Sequence, residues 1–131
     1  MSDISFKKEE QFTQFNIDIS IADDLLMERL RDLIVAGMEA GDVNFVINFE
    51  KVTDFEPSLY VKLDEIHHIV MKENGLLVVA CLTAGNDLLL KDLDIVSTPT
   101  LSEASDYVFM EEIERHFLTD EDEDLDVTGE L

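Results

Sequence analysis

Apolar and polar residues alternate along two short stretches near the start of the chain. Residues 5–8 and 11–19 show this period of two, and the charged pair Glu9 and Glu10 lies between them. A period of two places successive side chains on opposite faces of a strand. The pattern therefore predicts two strands that pair as a hairpin.

The apolar spacing then changes to that of a helix. Between Leu26 and Met38, apolar residues recur at intervals of three and four, which predicts an amphipathic helix of about four turns. We interpret Ser20–Asp23 as the capping box of this helix. Gly41 follows the last apolar position, where a left-handed residue commonly ends a helix.

The rest of the chain alternates between strands and helices. Uniformly apolar runs predict buried strands, and capping signals mark helix starts. The predicted elements are a strand at 43–49, a helix from Pro57 to Asn74, a strand at 76–82, a helix around 86–93, a short strand at 95–97 and a helix from about 100 to 117. Because crossovers between parallel strands are right-handed, this order predicts an α/β fold with a mixed, mostly parallel sheet of four to five strands and about four helices.

The charge of the chain excludes several classes of partner. With 31 acidic and 9 basic residues the net charge is −22, so nucleic acid and anionic membranes are poor partners. A hydrophobic content of 46% nevertheless predicts a folded domain. No apolar run approaches the ~20 residues of a membrane span, and no signal peptide is recognisable, so we expect a cytoplasmic protein with no direct membrane insertion.

Seven of the acidic residues lie in the last stretch, residues 119–131, which contains no basic residue. Its composition is typical of a disordered segment. We therefore expect one domain over residues 1–118 and an acidic disordered tail over 119–131.

The sequence contains few residues in patterns that support catalysis. The single cysteine, Cys81, lies in a predicted buried strand, which indicates a packed thiol. No phosphate-binding glycine motif and no metal-ligand motif of strong specificity is present, so we expect no enzyme activity, no cofactor and no metal. A metal-dependent hydrolase that uses His67, His68 and neighbouring carboxylates is the remote alternative, because adjacent helical residues point about 100° apart. Asp64 and His68 are predicted to form a surface ion pair instead.

Ser58 stands out by its position at the start of a helix that follows an apolar strand and a short loop. Its hydroxyl is expected at an end of the sheet, where partners bind. The alternative is a serine that only accepts a hydrogen bond from a backbone amide of its own helix.

These residues resemble the STAS domain of bacterial anti-sigma factor antagonists over roughly residues 5–115. The similarity is strongest at 45–55, which resembles the central strand and loop of that family, and at 74–81, which resembles the next strand. Where the family often has Asp-Ser-Ser-Gly-Leu, this chain has Glu56-Pro57-Ser58-Leu59-Tyr60. The resemblance implies a STAS-like (βα) superhelix and places Ser58 at the serine that a partner kinase phosphorylates.

The resemblance implies a non-enzymatic module that binds an anti-sigma factor or a related serine kinase-like regulator. The residues expected to contact this partner are Asp54, Glu56, Pro57, Ser58, Leu59 and Tyr60. Pro57 and Leu59 replace the first serine and the glycine of the family motif, and the bulk of Leu59 is expected to face the approaching partner. These replacements favour a second interpretation, a constitutive STAS scaffold subunit of a regulatory or transporter-associated complex that is not phosphorylated.

Overall fold

The computed structural model describes the backbone of residues 3–82, 90 and 92–130, and the side chains of these residues up to His116. Its main sheet is formed by Ile4–Lys8 (β1), Thr13–Ile17 (β2), Asn44–Asn48 (β4), Leu76–Ala80 (β6) and Val96–Thr98 (β7). The strand order is β1-β2-β4-β6-β7, with β1 antiparallel to β2 and every other neighbouring pair parallel. The predicted mixed, mostly parallel sheet is confirmed.

Two very short strands form a second sheet that the apolar pattern of the sequence did not predict. Ile21–Ala22 (β3) pairs in parallel with Asp54–Phe55 (β5). The carbonyl oxygen of Ser20 accepts hydrogen bonds from the backbone amides of Thr53 at 2.8 Å and Asp54 at 3.1 Å. A strand of two residues is too short to show a period of two, but this pairing holds the segments before the first two helices side by side.

Three helices lie in the described part of the chain: Asp24–Glu39 (α1), Leu59–Lys72 (α2) and Leu101–Glu130 (α3). The start of α1 corrects the predicted capping box. Asp23 is the N-cap, and its carboxylate accepts a hydrogen bond from the amide of Leu26 at 2.8 Å. At the other end, Gly41 has a φ of +106°, which confirms the left-handed residue expected after α1.

The helices cover both faces of the sheet. Alternate residues of a strand point to opposite faces, and the apolar residues of β4 and β6 divide accordingly. Phe45, Ile47, Leu77 and Val79 pack with α1 and α2 in the larger core. Val46, Val78 and Ala80 pack with Ala104 and Val108 of α3 in the smaller core. Because β4 and β6 are buried on both faces, they have the uniformly apolar sequences from which they were predicted.

Two expectations concern the C-terminal half of the chain. The helix predicted around 86–93 falls mostly outside the described residues. Helix α3 continues to Glu130 and so includes most of the segment expected to form an acidic tail, but the described side chains end at His116. The division of the chain at residue 118 stays a prediction.

Candidate functional site

Ser58 is an exposed residue at the start of α2, directly before Leu59. Its hydroxyl makes no capping hydrogen bond to the helix. The first amides of the helix are bonded by backbone carbonyls instead, Leu59 to Glu56 at 2.9 Å and Tyr60 to Pro57 at 3.2 Å. The interpretation of Ser58 as a side-chain cap is therefore wrong, and the hydroxyl is directed to the surface.

Three aromatic side chains fix the loop that presents Ser58. The ring centroids of Phe49 and Phe55 are 5.3 Å apart in an edge-to-face arrangement, and those of Phe55 and Tyr60 are 4.9 Å apart. All three residues are buried. Edge-to-face and tilted pairs at such distances are favourable beyond the area that they bury. The packing anchors the chain on both sides of Glu56, Pro57 and Ser58, which remain exposed.

Leu59 does not face the surface on which it was expected to meet a partner. Its side chain is fully buried in the larger core. The expected obstruction by its bulk is therefore wrong, because a side chain inside the core adds nothing to the surface. Tyr60 is also buried, at 5% exposure. Of the six residues expected to contact a partner, Asp54, Glu56, Pro57 and Ser58 are exposed.

Exposed apolar side chains that the sequence pattern did not single out lie near Ser58. Val61 is 63% exposed and lies three residues after Ser58, on the same side of α2. Ile21 is 58% exposed and pairs with Asp54 in the small sheet. Leu25, 62% exposed, lies in the first turn of α1. We call this surface the Ser58 face; its residues are Ile21, Leu25, Asp54, Glu56, Pro57, Ser58 and Val61.

One link between the two helices supports placing Leu25 on the Ser58 face. The Nζ of Lys62, four residues after Ser58, is 3.9 Å from Oε1 of Glu28, which follows Leu25 by three residues. The first turns of α1 and α2 are thus neighbours. In the sequence, Leu25 and Val61 are apolar residues outside the buried stripes of their helices. The spacing of apolar residues does not distinguish a residue that contacts a partner from an isolated exposed apolar residue.

The two neighbouring histidines converge with an aspartate on α2. One ligand atom each from Asp64, His67 and His68 lie within 4.8 Å of one another. The predicted contact between Asp64 and His68 is present: Nδ1 of His68 is 3.3 Å from Oδ1 of Asp64 and 2.8 Å from its carbonyl oxygen. Although His67 and His68 point about 100° apart on the helix, both reach the neighbourhood of Asp64, which lies one turn before them. We call these three residues the histidine cluster.

His67 is the most buried member of the histidine cluster, at 9% exposure. Burial of the imidazole holds the pKa of His67 below its ordinary value, and the neighbouring His68 acts in the same direction. The carboxylates of Asp64 and Asp94 favour the protonated ring and partly offset this lowering of the pKa. The net effect favours a neutral His67 imidazole.

Cys81 lies directly after β6 and is half-buried, not inside the strand as expected. Burial raises the pKa of its thiol, and the charge of Glu50 adds to the effect. A raised pKa keeps the sulfur protonated and weakly nucleophilic at neutral pH. This placement agrees with the expected role of a packed thiol.

None of the helices in the described part of the chain has the length and apolar content that a membrane span requires. No known family profile matches the sequence. A search of curated proteins finds no significant match either.

Solved structures with the same architecture do match, at low sequence identity. The fold is that of the STAS domain, the fold of anti-sigma factor antagonists. A candidate anti-sigma factor antagonist from Thermotoga maritima matches with a TM-score of 0.69 and 13% identity, over 80% of this chain and 93% of that one. A STAS domain protein from Planctomyces limnophilus matches with a TM-score of 0.66 and 18% identity, over 82% and 98% of the two chains.

The phosphorylated form of the Bacillus cell fate determinant SpoIIAA matches with a TM-score of 0.64 and 14% identity, over 80% of this chain and 98% of that one. The anti-sigma factor antagonist SpoIIAA in its unphosphorylated form matches as well. At such identities the similarity establishes the fold, while function depends on the residues of the site.

Proposed function

We propose that this protein is a non-enzymatic interaction module of the anti-sigma factor antagonist type. It binds an anti-sigma factor or a related serine kinase-like regulator through the Ser58 face, and Ser58 is the phosphate acceptor. The observation that carries the proposal is the exposed Ser58 hydroxyl at the start of α2, which makes no capping hydrogen bond. The fold is shared with SpoIIAA, for which a phosphorylated and an unphosphorylated form are known.

The Ser58 face combines apolar contact area with a position suited to a charge switch. Ile21, Leu25 and Val61 provide exposed apolar surface that a partner removes from water on binding. A phosphate on Ser58 adds a charge of about −1.5 to −2 at neutral pH. The amino end of α2 favours that charge by ~0.3–1 kcal/mol. We therefore expect α2 to be retained on phosphorylation. The affinity for the partner is what changes.

Phosphorylation would weaken the docked complex through repulsion and desolvation. A phosphate in a contact surface loses hydration on binding unless the partner supplies cationic groups. Asp54 and Glu56 already make this region acidic. The partner that fits the unphosphorylated surface therefore has an apolar or weakly basic face. The added charge of phosphoserine then reduces its affinity.

The direct test is incubation of the full chain with ATP and the cognate kinase, followed by mass spectrometry of the peptides. We expect one phosphate, located on Ser58, and none in Ser58→Ala. Thr53→Ala is the matched control, because Thr53 is another exposed hydroxyl residue in the same loop region. We also expect Ser58→Asp to weaken partner binding. An unmodified Ser58 together with full binding by Ser58→Asp would refute the proposal.

A second candidate keeps the docking surface and omits the switch, as a constitutive scaffold subunit. Pro57 favours it, because it replaces the first serine of the family motif. The acidic pair Asp54 and Glu56 favours it as well, because a surface that is already acidic changes less when a phosphate is added. Leu59 does not favour the scaffold, since its side chain is buried and leaves the surface unchanged. Capture of partners from native lysate separates the two candidates: an ATP-binding kinase domain in the partner favours the switch, and its absence favours the scaffold.

A further inference from the structure

The histidine cluster on α2 brings three metal-ligating side chains together at helical spacing. Asp64 precedes His67 by three residues and His68 by four, so all three side chains emerge on adjoining parts of the helix surface. One ligand atom from each lies within 4.8 Å of the other two. The imidazole rings of His67 and His68 have centroids 5.8 Å apart and planes 79° apart. This arrangement offers two nitrogens and one oxygen to a single ion.

An independent observation also points to a ligand at this place. His67 is 9% exposed, and its Nδ1 is buried without a hydrogen-bond partner. Among the described side chains, this is the only such buried nitrogen or oxygen atom. A buried polar atom in a folded protein normally has a partner, so the orphaned nitrogen requires an explanation such as a bound ion. It belongs to one of the three residues of the histidine cluster.

We propose that Asp64, His67 and His68 bind one divalent transition-metal ion, with Zn²⁺ as the ion that fits best. Two imidazoles and a carboxylate are a donor set that suits Zn²⁺. Zinc binds nitrogen and oxygen ligands at about 2.0–2.2 Å. In a tetrahedral site, two ligand atoms on the same ion are therefore roughly 3.4 Å apart. Three protein ligands leave one coordination position for water or for a second carboxylate.

Small side-chain rotations complete this geometry. No two ligand atoms of the histidine cluster are more than 4.8 Å apart, so each separation exceeds the tetrahedral value by about 1.4 Å at most. His68 is exposed and Asp64 is partly exposed, so both have room to turn. The terminal torsions of His and Asp are broad, which makes such a rotation inexpensive. The carboxylate of Asp94 acts electrostatically on His67 and adds negative charge to the surroundings of the histidine cluster.

The test is zinc titration of the full chain, prepared without a histidine tag and followed by calorimetry and elemental analysis. An excess of Mg²⁺ is present throughout, because it occupies exposed acidic oxygens and competes poorly for imidazole. We expect one Zn²⁺ per chain. His68→Ala and Asp64→Asn should each weaken binding at least tenfold. His116→Ala is the matched control, since His116 is exposed on α3, and it should bind zinc as the unmodified protein does.

His67→Leu tests the buried position while it preserves packing volume. We expect this variant to keep its helical circular dichroism and to lose stoichiometric zinc binding. Equal zinc affinity in the unmodified protein and in His68→Ala or Asp64→Asn would mean that the acidic surface holds the ion, and the proposal would fall. Absence of stoichiometric binding would overturn it as well. Either result leaves the proposal for Ser58 intact, because Ser58 does not contribute to the histidine cluster.

Discussion

The side-chain amide of Asn44 donates a hydrogen bond to Oε1 of Glu112 at 2.6 Å, which joins the first residue of β4 to α3. The same amide donates to the carbonyl oxygen of Gln11 at 3.0 Å. The guanidinium of Arg115 donates to Asn44 at 3.3 Å and to Glu112 at 3.1 Å. Asn44 is only 4% exposed, whereas the side chains of Arg115 and Glu112 are about one third exposed, so the network reaches from the surface to a buried amide. One buried asparagine therefore fixes α3 against the sheet.

Removal of this amide should destabilise the fold. We expect Asn44→Ala to lower the free energy of unfolding by about 2–3 kcal/mol, because the carbonyl of Gln11 and the carboxylate of Glu112 lose a buried donor. Urea denaturation followed by circular dichroism measures the change. Glu114→Gln is the control on the exposed side of α3 and should stay within ~0.5 kcal/mol of the unmodified protein. Equal losses in the two variants would contradict the role of the network.

Gly75 allows the backbone to pass close to β4. A Cβ atom at this position would overlap the carbonyl oxygen of Val43 and would lie 2.7 Å from Cγ1 of Val70. The carbonyl oxygen of Val43 also accepts a hydrogen bond from the backbone amide of Leu76 at 2.9 Å, so it has little freedom to move. We therefore expect Gly75→Ala to cost about 3 kcal/mol, measured by thermal or urea unfolding.

The matched control for this change is Gly41→Ala. Gly41 has a φ of +106° but no atom within 4 Å of an added Cβ, so its penalty comes from backbone conformation alone. We expect a cost of about 1–2 kcal/mol there. A larger loss of stability in Gly41→Ala than in Gly75→Ala would show that close packing is not the reason for the glycine at position 75.

Val61 should contribute to partner binding through the Ser58 face. We expect Val61→Glu to weaken partner binding at least tenfold, because it places a charge in the apolar part of the contact surface. Met71→Glu is the matched control, since Met71 is 48% exposed at the other end of the same helix. Calorimetry with the captured partner gives both affinities. Equal effects of the two substitutions would place the docking surface elsewhere.

His67 should make the stability of the protein depend on pH. Burial lowers the pKa of this imidazole below its ordinary value of 6.5, with a contribution from His68 and opposing effects of Asp64 and Asp94. At pH values below 6.5 the unfolded chain binds a proton that folded His67 resists, so the free energy of unfolding falls as the pH falls. Above pH 6.5 this penalty is absent.

His67→Leu removes that titration. We expect the stability of the variant relative to the unmodified protein to increase as the pH is lowered from about 7.5 to about 5. Urea denaturation across this range, in the presence of a chelator, measures the difference. Parallel stability curves for the two proteins would contradict the assignment of this pH dependence to His67.

Long elements with a regular apolar pattern were predictable from the sequence. β4 and β6 are apolar on both faces because helices cover both, and that burial leaves a continuous run of hydrophobic residues. The end of α1 shortly before Gly41 was predictable because few residues other than glycine adopt the backbone conformation of Gly41 readily. The small sheet was not, because pairing of Ile21 with Asp54 joins residues distant in the chain and leaves no local pattern.

The candidate site also has features that the sequence predicts and features that depend on packing. By itself, the sequence determined the α/β order of elements and the position of Ser58 before α2, since both follow from local periodicity and spacing. Only the tertiary structure decided that Leu59 is buried, that the Ser58 hydroxyl does not cap its helix, and that Ile21 lies beside Asp54. Those three facts depend on how distant segments pack, and packing across the fold is not encoded in the spacing of neighbouring residues.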